Sequence, residues 1–159
     1  MDKKVAALLN EQINKELYSA YLYLDMANFY ASKGLDGFAN WFEIQAREEQ
    51  DHAMLIYKYL HNNSQDVTLE AIAKPDETFE TLSDPLTAAL AHEQYVTSLI
   101  NTIYEAAQED WFIKEQGEEE MNSSNLITKM GMFGGDAKAL YMLNSEMAAR
   151  TYSAPSLKL

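Results

Sequence analysis

Four amphipathic stretches of this chain each set a glutamate inside a stripe of otherwise apolar residues, and few folds accommodate that pattern. Residues three and four apart lie on one face of a helix. The first stretch runs Ile13, Glu16, Ala20, Tyr23, Ala27, and the second Phe38, Phe42, Gln45, Glu49, His52, Ile56, Tyr59. In the third, Glu93 lies between Leu90 and Val96; the fourth runs Phe112, Gln116, Glu119, Ser123, Leu126, Met130, Phe133. An unpaired buried carboxylate costs several kcal/mol, and a group of them repel one another. Lys and Arg are missing from these faces, so the compensating charge is expected from bound cations. Carboxylate oxygens with one imidazole suit iron or manganese better than thiophilic metals. Glu49-x-x-His52 alone carries little weight, because such pairs arise by chance in many helices. The matching stripes give it meaning.

Helical periodicity and its breaks predict an all-α chain with helices over about 3–32, 37–61, 85–107, 111–133 and 136–150. Gly34 to Gly37 interrupts the first pattern, with Asp36 the expected cap of the second helix. So short a turn makes its two helices antiparallel neighbours. Asn62 to Asp84 is too long for a tight turn and allows the third helix to start at the far end of a bundle. Asp84-Pro85 opens that helix, Gly134-Gly135 closes the fourth, and the residues after Arg150 read as a loose tail. The expected architecture is a four-helix bundle with a long crossover between helices two and three and a short fifth helix, as one domain over residues 1–159.

Charge and composition narrow the function. A formal charge of -13 argues against nucleic acid as a partner and for cations. Without cysteine there is no disulfide framework and no thiolate metal site. The N-terminus enters an amphipathic pattern at once, with no apolar run for a signal peptide or membrane span, and the expected location is cytoplasmic.

Three runs carry a family resemblance: Asn10-Glu11-Gln12-Ile13-Asn14-Lys15-Glu16-Leu17-Tyr18-Ser19-Ala20-Tyr21, Glu48-Glu49-Gln50-Asp51-His52-Ala53-Met54, and Trp111-Phe112-Ile113-Lys114-Glu115-Gln116-Gly117-Glu118-Glu119-Glu120. Together they resemble the non-haem bacterial ferritins over nearly the whole chain. The resemblance implies that Glu16, Glu49 and His52 bind a first iron and Glu49 with Glu93 a second. It implies that Gln116 and Glu119 complete or neighbour the pair, and that Tyr23 stands beside it as a hydrogen-bonding or redox-active residue. It also implies a third iron site built from Glu48, Glu115, Glu118 and Glu119. Bacterioferritins and rubrerythrins repeat Glu-x-x-His on the fourth helix, where this chain has Gln116-Gly117-Glu118-Glu119. Gln50 stands where bacterioferritins carry their haem-ligating Met, so no haem is expected. The implied function is a ferroxidase and iron store. Fe(II) is oxidised by dioxygen or peroxide at a di-iron centre, and Fe(III) mineral is deposited in a hollow homo-oligomeric shell of 24 subunits in the family.

One departure concerns the corner between the third and fourth helices. Glu16 and Glu49 are 33 residues apart, but Glu93 and Gln116 only 23, about ten fewer than the family pattern. Either both arms of that hairpin are shortened by roughly 7 Å, or they fuse into one helix from about Pro85 to Phe133 with Glu93 and Gln116 about 35 Å apart. The helix-favouring run Tyr104-Glu105-Ala106-Ala107-Gln108 supports fusion. The need to return Gln116 and Glu119 to Glu93 supports the shortened hairpin, which is expected here. In the family this corner helps line the threefold channels, so the alternative reading is an assembly-altered, engineered variant: a structural module with an impaired metal site. Altered assembly predicts that size-exclusion chromatography and electron microscopy will find a particle other than the ordinary hollow 24-subunit shell; that shell would refute it.

Overall fold

The structure, a computed structural model, describes residues 1–107 and 111–154, with side chains described for 1–106 and 119–154. Among the described residues it forms α1 (Lys3–Ser32), α2 (Asp36–Asn62), α3 (Asp84–Ala107), α4 (Trp111–Phe133) and α5 (Ala137–Ala148). Asp2 caps α1 by accepting from the backbone N–H groups of Lys4 at 2.8 Å and Val5 at 3.3 Å. Gly34 turns the chain at φ +71°, a conformation that costs glycine little. α2 begins one residue earlier than expected, with Leu35 at the cap position and no side-chain bond from it. Asp36 therefore lies inside the first turn, where its charge favours the positive end of the helix dipole. The missing cap comes from α5: Asn144 Oδ1 accepts from the N–H groups of Gly37 at 2.8 Å and Phe38 at 3.2 Å.

The buried residues fall into two apolar ends with a polar belt between them. One end gathers Met26, Tyr30, Phe38, Phe42, Leu86, Leu126, Met130 and Leu143; the other gathers Val5, Leu9, Ile13, Ile56, Leu60, Val96 and Ile100. α1 runs from the second end to the first, α2 returns, and α3 again starts at the first, so α2 and α3 are parallel across the long crossover. The crossover lies along α1, held where Asn10 and Thr68 bond reciprocally, where Asn14 donates to Ala71 O at 3.1 Å, and where Tyr30 OH donates to Leu82 O at 2.6 Å. One position shifts within its stripe: Ala89 is buried in place of Leu90. No helix among the described residues is long and apolar enough to cross a membrane.

α3 and α4 are separate antiparallel arms. A continuous helix would hold Thr97 and Glu120 about 35 Å apart. Instead the Thr97 hydroxyl donates to the Glu120 carboxylate, while Leu86 shares the far apolar end with Met130. The shortened hairpin holds, and the fused helix does not; residues 108–110 lie outside the described set.

α5 packs so closely on the start of α2 that a Cβ at residue 37 would fall 1.8 Å from Asn144 O. Gly37→Ala must therefore push α5 away. Hydrogen exchange should speed up selectively at the α5 amides, with α1 amides unchanged.

Candidate metal centre

Each arm of the bundle contributes to the polar belt. Glu16 comes from α1, Gln45, Glu49 and His52 from α2, Glu93 from α3, and Glu119 and Ser123 from α4, all buried. Their position follows from the helix repeat. On each helix these residues continue the apolar stripe, so the packing that buries Phe42 and Ile56 also buries Glu49. A charged side chain in that stripe is desolvated whether or not it has found a partner.

Glu16, Glu49 and His52 form the tightest group, with one potential ligand atom from each within 4.8 Å of the others. His52 Nδ1 lies 3.2 Å from Glu49 Oε2. Gln12 donates to Glu16 Oε1 at 2.8 Å, while Glu16 Oε2 is buried with no hydrogen-bond partner among the described residues. A buried oxygen left with an unused lone pair beside a second carboxylate and an imidazole fits a cation-binding position. Gln45 Nε2 donates to Glu119 Oε2 at 2.6 Å and to Glu49 Oε1 at 3.3 Å, and Tyr23 OH donates to Glu93 Oε1. Glu93 and Glu119 thus enter the same belt without joining the three-residue group.

The electrostatics record the cost of crowding acids away from water. Burial, then the negative charge of Glu49, pushes Glu16 up to about 8. Burial and the same charge push Glu119 up to about 7. Burial also works to raise Glu49, but the hydrogen bond and charge of His52, with the Gln45 hydrogen bond, outweigh it and hold Glu49 low. Tyr23 is pushed well above its ordinary value by burial and by Glu93. In the metal-free state, therefore, Glu49 holds the negative charge and Glu16 the proton.

Of the other expected residues, Glu48 lies half-buried at the belt's edge, paired with Arg150 at 2.5 Å. Gln116, Glu115 and Glu118 lie outside the residues whose side chains are described. Three contributors went unassigned in the sequence. Gln45 and Gln12 bond the carboxylates directly, and both are buried on helix faces shared with acids, a signal that was present. Arg150 follows the fifth helix, and nothing in the local sequence there points to the belt. His92 packs edge-on against Tyr23 at 6.0 Å and lies 2.7 Å from Ser19 Oγ.

Comparison with known proteins finds relatives over most of the chain. The family model for a ferritin-like domain matches residues 6–133. A bacterial non-heme ferritin of Campylobacter jejuni is 35% identical, covering 89% of this chain and 91% of its own length. One from Staphylococcus epidermidis is 32% identical, covering 96% and 98%. The first alignment runs over 152 positions but takes in only 89% of 159 residues, so about ten positions of the relative face no residue here. Among solved structures, an engineered closed form of the Archaeoglobus fulgidus ferritin matches with a TM-score of 0.91 at 34% identity, covering 96% of this chain and 99% of that one. The open-pore ferritin of the same archaeon matches at 0.90 and 34%, covering 95% and 99%.

Glu16 and Glu119 hold protons in the folded state that the unfolded chain releases near its ordinary value of 4.5. Their contribution to stability is fully present below that pH and is lost as pH rises through about 7 to 8. The melting temperature of chelator-treated protein should therefore fall across this range. Glu16→Gln, which keeps the shape without a titrating group, should flatten the fall; an unchanged slope would contradict the assignment.

Proposed function

The chain belongs to the ferritin family, and we propose that it stores iron by oxidising Fe(II) at the buried belt. The observation that carries the reading is the Glu16, Glu49 and His52 group, with its unpartnered Glu16 oxygen. Fe(II) is the substrate. Glu16, Glu49 and His52 hold the first ion and Glu49 with Glu93 the second, and by the family resemblance Gln116 and Glu119 complete or neighbour the pair. Binding releases the proton from Glu16, and the cation supplies the positive charge that the belt's own residues lack. Two Fe(II) ions each give up one electron to dioxygen, which takes up two protons to become hydrogen peroxide; peroxide serves as an alternative oxidant. Tyr23 keeps the Glu93 carboxylate oriented through its hydroxyl. By the same resemblance Glu48, Glu115, Glu118 and Glu119 are assigned to a third iron site, and Fe(III) moves on to an acidic cavity enclosed by copies of this chain. The whole of residues 1–159 serves as one such unit, in the cytoplasm, and without haem.

A second reading has its own observation. About ten positions of the Campylobacter jejuni relative face no residue here, and with only 23 residues between Glu93 and Gln116 we assign that shortening to the corner between α3 and α4, in support of a particle of altered assembly whose metal site is impaired. Metal analysis after anaerobic Fe(II) loading separates the two, because an empty site contradicts oxidation.

Removing a ligand should cost more than the roughly 10–100-fold lost with a group that merely supports one. Glu49→Ala and His52→Ala should each slow aerobic Fe(II) oxidation by more than about 100-fold. Rates equal to the parent in both variants would refute the reading.

A further inference from the structure

The segment that leaves α5 returns to the belt. Asn40 donates to Arg150 O at 3.2 Å, the Arg150 guanidinium lies 4.3 Å from the Trp41 ring centroid, and Tyr152 OH donates to Asp51. The contacts of residues 150–152 therefore span about three turns of α2, from Asn40 to Asp51. Arg150 Nη1 donates to Trp41 O at 3.1 Å and to Gln45 Oε1 at 3.0 Å, and Nη2 donates to Glu48 Oε2 at 2.5 Å.

Arginine has five donors and no acceptor. Held against it, the Gln45 carboxamide must present its oxygen to Arg150 and its NH2 to the opposite side. On that side lie Glu119 and Glu49, at 2.6 and 3.3 Å. Gln45 is almost wholly buried, at 1% exposure, so no solvent competes for either end. One guanidinium thus sets the direction of an amide that touches two carboxylates, while its other nitrogen holds the acid next to Glu49 in sequence.

We propose that Arg150 is a positioning residue for the metal centre: acting through Gln45, it orients the Glu49 and Glu119 carboxylates, so cation affinity depends on the docking of the C-terminal arm. The inference rests on the reading of Glu49 as a metal ligand. Removing the guanidinium leaves Gln45 free to turn and Glu48 unpaired one residue from Glu49. Lysine keeps the charge but not the planar fork that reaches Trp41 O, Gln45 and Glu48 together. Arg150→Lys therefore tests geometry without changing the field on the cation.

The test is titration of the full-length metal-free protein with Co(II), an ion that takes the same oxygen and nitrogen donors and reports its geometry through its visible bands. Arg150→Lys should weaken the tightest Co(II) site about tenfold and alter those bands, in the range seen when a ligand's support is lost. In a Gln45→Met background the same replacement should have no further effect. Parent-like affinity in Arg150→Lys, or a loss that persists undiminished without Gln45, overturns the proposal. Glu49→Ala serves as the reference. If it abolishes Co(II) binding while Arg150→Lys binds like the parent, only the role of Arg150 falls; if it binds cobalt like the parent, the metal reading itself falls, and this inference with it.

Discussion

The desolvation of acids at the middle of an apolar bundle is the constraint to which the rest of this structure responds. A carboxylate is stable in such a place only if it is protonated, hydrogen-bonded or bound to a cation. The metal-free belt uses the first two devices. Glu16 keeps its proton, Glu49 gathers donors from His52 and Gln45, and Glu93 takes the Tyr23 hydroxyl. Among the described residues one oxygen, Glu16 Oε2, is left without a partner. The belt is stable enough to fold around, and that oxygen sits beside a second carboxylate and an imidazole.

The two apolar ends make that compromise affordable. The stacking of Tyr30 on Phe38 and Phe42, at 4.9 and 5.6 Å between centroids, anchors one end, and the aliphatic cluster of Leu9, Ile56 and Ile100 anchors the other. Each helix crosses the belt once between well-packed flanks, so the acids cannot escape to water without disrupting both. The crossover adds no ligand. It stays on α1 through side-chain bonds to its backbone carbonyls and leaves α3 parallel to α2.

The short connection between α3 and α4 still lets the fourth arm reach the centre of the bundle. Thr97 and Glu120 meet across the hairpin, and Glu119, one residue earlier, still reaches Gln45. The fourth arm thus returns to the belt although only 23 residues separate Glu93 from Gln116.

What the sequence determined by itself was the set of helices and the acids they bury. A 3.6-residue repeat is a local property, and Glu16, Glu49, His52, Glu93 and Glu119 can be placed on inward faces from spacing alone. It could not decide the α3–α4 corner, because residues 104–108 favour helix locally while the contact that folds the arms back spans 23 residues. Nor could it show that α2 is capped by Asn144 rather than Asp36, since a cap more than a hundred residues away leaves no local trace. Arg150 makes the same point most sharply. The apolar stripes hold no basic residue, yet the folded belt has one at its edge, supplied by a segment that reads as a tail. Periodicity reports which face of a helix is buried; only tertiary packing decides which distant group arrives to meet it.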